Sequence, residues 1–127
     1  MKIQLREWKV KDLSFSIKQE SSPTDTKDTN FQLSFGLAFN DDTPKEFVIG
    51  FKIGIEDEAF NLNLEMVFAF QLDTNIDEKL KNSPFMKINA PAIAFPYIRS
   101  YISNFTLQSG FNPVILPSIN FVSLNEN

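Results

Sequence analysis

The chain has 127 residues, 43% of them hydrophobic, with 14 Phe and a mean hydropathy of -0.16, which is about one domain's worth of sequence with enough apolar mass for a core. A net charge of -4, with no basic cluster, argues against a nucleic-acid partner, because phosphate backbones are held by Lys and Arg. With no Cys and no His, the sequence excludes disulfides, thiolate chemistry, Ser-His-Asp and Cys-His nucleophilic arrangements and ordinary zinc sites.

The first segment, MKIQLREWKVKDL, has charges scattered through it and no apolar run of signal-peptide length. No stretch approaches the roughly 18 apolar residues of a transmembrane helix. The expectation is a cytoplasmic protein with no membrane partner. Residues 2–18 predict a strand with two register breaks. Ile3 and Leu5 alternate, then Trp8 and Val10, then Leu13, Phe15 and Ile17, and a bulge at each break would keep them on one side. Residues 18–30, KQESSPTDTKDTN, hold no large apolar residue and are too long for a hairpin, so they predict a surface crossover loop.

Period-2 alternation then predicts three strands in a meander, about 31–40, 46–56 and 59–72. Phe31 to Phe39, Phe47 to Ile55 and Phe60 to Leu72 supply the apolar positions, and NDDTPK and EDEA supply the turns. The opposite positions, among them Gly36, Ala38, Val48, Gly50, Gly54, Val67 and Ala69, are not strongly polar, so a second surface could lie against them. Thr74 with Asp77 three residues on resembles a helix-start box for a short helix at about 75–82. Residues 92–109 predict the main helix. Its apolar stripe would be Ala94, Tyr97, Ile98, Tyr101, Ile102 and Phe105, and its start would be no earlier than about Ile93, which keeps Pro96 in the first turn. Gly110 should end it in a left-handed conformation, and Pro113 and Pro117 make 111–121 an extended tail.

The whole predicts one α+β domain over 1–127: a four-stranded antiparallel sheet with one main C-terminal helix packed on it. Such a sheet is about 20 Å wide, while a helix with its side chains spans about 10–12 Å. One helix cannot cover the 17 apolar positions of the last three strands. Each large side chain left wet forgoes about 1.5–3 kcal/mol, so a homo-oligomer with apolar surface still open is expected.

Catalytic signals are weak. Asp41-Asp42 and Glu56-Asp57-Glu58 pair carboxylates, but both fall in predicted turns and read as solvated turn residues. No EF-hand spacing follows residues 40–42, and no Gly-rich phosphate loop exists among four glycines. The expectation is no catalytic residue, no metal and no cofactor.

Pro91, Phe95-Pro96-Tyr97, Arg99, Gly110, Pro113, Leu116-Pro117 and Asn120-Phe121 together resemble the C-terminal signature of the SecB family of protein-export chaperones. Lys11-Asp12-Leu13-Ser14-Phe15 resembles that family's first strand, and the strands and crossover between them follow the same order. The resemblance implies a tetramer built as a dimer of dimers, and ATP-independent holding of unfolded polypeptides. It also implies client grooves floored by the sheet and flanked by the crossover loop and the C-terminal helix. The family's second helix and charged tail, which contact SecA, should follow Asn120-Phe121, where six residues remain. The expectation is a short member lacking that helix, with the usual SecA contact tail absent. Short SecB-like proteins also serve as chaperones dedicated to one antitoxin.

Any single strand Phe reads first as core. Phe31, Phe35, Phe39, Ile115, Ile119 and Phe121 flank the crossover or lie on the proline-braced tail, and they are the candidate polypeptide-binding residues. Tyr97, Tyr101 and Phe105 should pack on the sheet or on a partner helix. Tyr101, Leu107 and Arg99 are the candidate oligomer contacts: Leu107 lies on the polar side of the helix, and Arg99 is either a solvated residue or an interface partner for a carboxylate. Three readings of function follow. The first is a passive holdase for unfolded polypeptides, the second an adaptor for one partner such as an antitoxin, and the third a cup for a small apolar ligand.

Overall fold

Alternation of large apolar with small or polar side chains yields four long strands. The computed structural model describes residues 1–18 and 29–125. It contains β1 (Ile3–Ile17), β2 (Asn30–Phe39), β3 (Glu46–Glu56) and β4 (Phe60–Leu72), then α1 (Glu78–Lys81), α2 (Ala90–Gln108) and α3 (Phe121–Asn125). A π turn, Phe85–Asn89, leads directly into α2. The chain divides into two units, Met1–Thr74 and Asn75–Asn127.

In the first unit the strands form one antiparallel sheet of order β1-β4-β3-β2. Strands β2, β3 and β4 make the meander, while β1 and β2 stand at opposite edges although consecutive in the chain. The predicted crossover loop falls mostly on residues 19–28, outside the described residues. The register of β1 on β4 shifts between Leu5 and Glu7 and again between Val10 and Asp12. These are the two breaks in the alternation. Because of them Leu5, Trp8, Val10, Leu13 and Phe15 lie opposite Phe70, Phe68, Met66, Leu64 and Leu62, so the whole apolar set of β1 shares one face with that of β4.

The ends of this unit are tied by short polar contacts. Asp57 accepts hydrogen bonds from Thr29 Oγ1 (2.7 Å) and Ala59 N–H (2.9 Å), which braces the β3–β4 turn. The Lys2 N–H donates to Asp73 Oδ1 (2.9 Å), and the Asp73 N–H donates to the Lys2 carbonyl (3.2 Å). The Lys2 N–H holds the Asp73 carboxyl below its ordinary value of 3.8. A depressed folded value means stabilisation that is present above the unfolded value and lost as pH falls through the folded one. The expected result is a lower Tm for Asp73→Ala at neutral pH, with the gap to wild type narrowing below about pH 4. A gap that persists unchanged into strong acid would count against this role.

In the second unit three helix details differ from the sequence expectation. The N-cap of α1 is Asp77, whose Oδ1 accepts from Leu80 N–H (2.8 Å), and not Thr74. Its carboxylate also suits the positive end of the helix. Second, α2 begins at Ala90, which leaves Pro96 in the helix interior. Ala92 and Pro96 both lie on the exposed side, where water can take the place of the donor that Pro96 lacks. The π turn has a related cause. A proline ring crowds the carbonyl four residues back, and ahead of Pro91 the helix is widened so that Ala90 N–H donates to the Phe85 carbonyl. Third, the buried stripe of α2 is Ala90, Pro91, Ala94, Phe95, Ile98, Ile102 and Thr106; Tyr97 is 40% exposed. Phe95, packed edge-on against Phe121 at 5.9 Å, is buried where the sequence pattern places Tyr97.

Helix α2 ends in a Schellman motif. Gly110 has φ of +98° and donates to the Leu107 carbonyl (3.1 Å), and Phe111 N–H donates to the Thr106 carbonyl (3.1 Å). Residues 112–120 have no regular structure. Asn120 Oδ1 then accepts from the N–H groups of Val122 (3.0 Å) and Ser123 (3.3 Å), capping the single turn of α3.

Candidate functional site

The sheet presents its apolar face as a graded surface. Every inward apolar residue of β3 and β4 is no more than 3% exposed. The flanking strands are more open. Phe31, Leu33, Phe35, Leu37 and Phe39 of β2 are half-buried, and on β1 Trp8, Val10 and Ile17 are 46%, 38% and 66% exposed. Each β2 aromatic leans on the core through an adjacent ring or side chain. Phe35 lies 5.7 Å from Phe51, which meets Phe68 edge-on at 5.6 Å. Phe39 lies 6.1 Å from Phe47, which stacks on Phe70 at 5.1 Å. Phe31 sits opposite Ile55. The three candidate residues of β2 are therefore on one face of an edge strand, each with part of its surface accessible and each backed by core.

The other three candidates lie in the second unit, on the tail after α2. Ile115 is 75% exposed, and Ile119 is half-buried between the closed residues Leu116 (2%) and Phe121 (4%). The Phe121 ring meets Phe95 edge-on at 5.9 Å. Phe121 is thus an anchor of the tail in this structure and not an open contact, because its ring already has an apolar partner. Of the candidate oligomer contacts, Leu107 is 56% exposed, Arg99 is half-buried, and Tyr101 is half-buried and stacked on Phe105 at 6.1 Å. Ile93 (39%) and Tyr97 add apolar surface to the open side of the same helix.

Two features were not singled out in the sequence. The open apolar residues of β1 carry the signal of lying between charges and bulges on an edge strand. Thr106, fully buried inside α2, carries only the signal of a polar residue at a core spacing four after Ile102. Of the paired carboxylates, Asp57 is bonded within its turn as above, while in the β2–β3 turn it is Asn40 Oδ1 that accepts from the Asp42 N–H (2.9 Å). The opposite face of the sheet is polar at one end, with a shallow hollow of about 400 Å³ bordered by Asp12, Gln32, Ser34, Lys52, Asn63 and Glu65. Lys52 and Glu65 are 3.8 Å apart there, a solvent-accessible pair of little energetic weight, with Lys52 exposed and Glu65 half-buried.

A sequence profile described as SecB, Preprotein translocase subunit SecB, matches residues 1–127. The chain belongs to the SecB family. It is 29% identical over 128 residues to the protein-export protein SecB of Roseobacter denitrificans, covering 93% of this chain and 75% of that one. An uncharacterised protein of Methanocaldococcus jannaschii is 27% identical, over 93% of this chain and 79% of its own. Among solved structures, the SecB-like chaperone of Mycobacterium tuberculosis, in complex with a peptide from the HigA1 antitoxin, superposes with a TM-score of 0.74. The identity there is 15%, over 93% of this chain and 91% of that one. At that identity the likeness is one of fold, and it bears out the four-stranded antiparallel sheet followed by a main helix.

Five of the residues that resemble the SecB signature have clear physical roles. Phe95 and Phe121 pack on each other, Gly110 supplies the positive φ, Leu116 is buried between two prolines, and Asn120 caps α3. These five residues help to build the second unit of this chain. Among the described residues no helix is long and apolar enough to cross a membrane, and no group of three or more Asp or Glu could hold a metal ion.

Proposed function

We propose that this SecB-family chain is an ATP-independent holdase that binds extended apolar segments of non-native polypeptides in the cytoplasm, in the service of protein export. The supporting observation is ordered apolar surface left open: the half-buried face of β2 and the exposed Ile115 of the tail. Strand β2, NFQLSFGLAF, is an edge strand of the described sheet without a charge or a bulge, whereas β1 carries five charges from Arg6 to Asp12 and two bulges. Charges and bulges deter strand addition, so β2 is the edge that suits an extended guest. Phe31, Phe35, Phe39, Ile115 and Ile119 are the proposed contacts, with Phe121 holding the tail that carries two of them. Weak apolar contacts along one guest chain add through effective concentration, while a non-directional driving force keeps sequence demands low.

Residues 1–127 are read as one SecB domain. Its proposed assembly is a homo-oligomer, a dimer of dimers, in which Leu107, Tyr101 and Arg99 meet a partner subunit. The open side of α2, with Ile93 and Tyr97, supports that reading. A second reading is a dedicated chaperone for an antitoxin. The fold it shares with a SecB-like chaperone that holds an antitoxin peptide favours it. The test is suppression of aggregation of a chemically denatured client by the purified protein without nucleotide. Suppression of several unrelated clients supports the general holdase, rescue of one antitoxin alone supports the dedicated chaperone, and failure of both would sink both readings.

A further inference from the structure

Thr106 is the one buried polar side chain among the described residues, with none of its surface exposed. Its hydroxyl donates to the Ile102 carbonyl at 2.8 Å, with a longer approach of 3.2 Å to the Ser103 carbonyl. It also accepts from the Val114 N–H at 2.9 Å, eight residues along the chain. The first bond is the ordinary way in which a helical threonine satisfies itself. The second is not local. It pins the backbone of the tail to the last turn of α2, inside the loop that the Schellman bonds of Gly110 and Phe111 close.

The pinned stretch is Pro113-Val114-Ile115-Leu116-Pro117, three apolar residues between prolines. An extended chain sends Val114 and Leu116 to one side and Ile115 to the other. All three are apolar, so side-chain type does not choose the side. The backbone bond at Val114 does: Leu116 is 2% exposed, Val114 half-buried, and Ile115 75% exposed.

We infer that Thr106 is a positioning residue whose hydroxyl sets the register of the tail, so that Ile115 is held outward as a pre-ordered apolar contact for an extended apolar segment of a non-native polypeptide. The inference rests on the holdase reading above. Pre-ordering matters because a contact that must first be arranged loses affinity to the entropy of arranging it.

The test uses the full chain with Thr106→Val, Thr106→Ser, Ile115→Ser and the Thr106→Val/Ile115→Ser double variant. The first readout is amide exchange at Val114. It should quicken about tenfold or more in Thr106→Val, since the N–H loses a buried partner, and stay near wild type in Thr106→Ser. The second readout is the affinity for a fluorescein-labelled synthetic peptide in which Phe and Ile alternate with Ser. Ile115→Ser should weaken it about tenfold, and Thr106→Val about fivefold. The double variant should bind no more weakly than Ile115→Ser alone, because Thr106 acts through Ile115. A merely structural role would make the two losses multiply, and that result overturns the inference. So does unchanged exchange at Val114, or a failure of Thr106→Ser to restore binding. If the wild type itself does not bind the peptide, the holdase reading falls and the positioning role with it. Altered Val114 exchange would then still show that the backbone pin exists.

Discussion

Phe68→Ala should lower the unfolding free energy by about 3–5 kcal/mol, the range for an aromatic removed from a closed core. Phe68 has no exposed surface, meets Phe51 edge-on at 5.6 Å, and lies opposite Trp8 on one side and Ile49 on the other. Phe51, Trp8 and Ile49 belong to a hydrogen-bonded sheet that cannot slide inward, so they leave much of the vacated volume empty. Domains of this size are stable by about 5–15 kcal/mol, so the variant should approach the limit of folding. Phe35→Ala, on the half-buried edge strand, should cost about 1–2 kcal/mol, because part of the ring is already in contact with solvent. Urea denaturation at one fixed protomer concentration compares the two, since any oligomer makes apparent stability depend on concentration. Equal losses at Phe68 and Phe35 would contradict the graded burial of the sheet.

Phe35→Ser with Ile115→Ser should reduce affinity for a denatured client by about 100-fold and remove measurable aggregation suppression. Each change deletes one large apolar contact, worth about 1.5–3 kcal/mol when fully desolvated. Losses at two linked contacts on one guest chain multiply. Ile115→Ser alone should leave Tm within a degree or two, since the side chain is 75% exposed and buries little on folding. That single variant therefore separates lost binding from lost folding. Full suppression by the double variant, with its fold intact by circular dichroism, would remove both surfaces from the proposed function.

Much of the sheet was legible in the sequence because strand periodicity is a local property. A period of two fixes which side chains share a face, and a break in that period has one structural remedy. The two bulges of β1 were therefore readable from Leu5, Trp8, Val10 and Leu13 before any register was known. Gly110 was readable for a similar reason, as the position where only a residue without Cβ sits easily at positive φ. The helix details were less legible. Thr74 and Asp77 are both good caps, and which one caps depends on where the chain leaves the sheet. Pro96 suggested a late helix start, but it lies with Ala92 on the exposed side, where an interior proline is tolerated and the helix can begin at Ala90. The stripe of α2 was misplaced because Tyr97 is apolar enough to count as core, while Phe95 and Thr106 in fact turn inward.

The candidate contacts divide in the same way. Phe31, Phe35 and Phe39 could be placed on one face of one strand from spacing alone, but their half-burial follows from β2 lying at an edge of the sheet. Ile115 and Phe121 look alike in sequence, each apolar and close to a proline or an asparagine. One is open and the other is closed on Phe95, and nothing local distinguishes them.

By itself the sequence determined the strands, their shared apolar face, the helix stop and the absence of cysteine and histidine chemistry, because each depends on residues near one another in the chain. Tertiary structure decided which strands became edges, which helix face turned inward and which of three consecutive tail residues stayed outside. Those outcomes depend on partners distant in sequence: the pairing of β1 with β4, the ring of Phe95 under Phe121, and the hydroxyl of Thr106 beneath the Val114 amide.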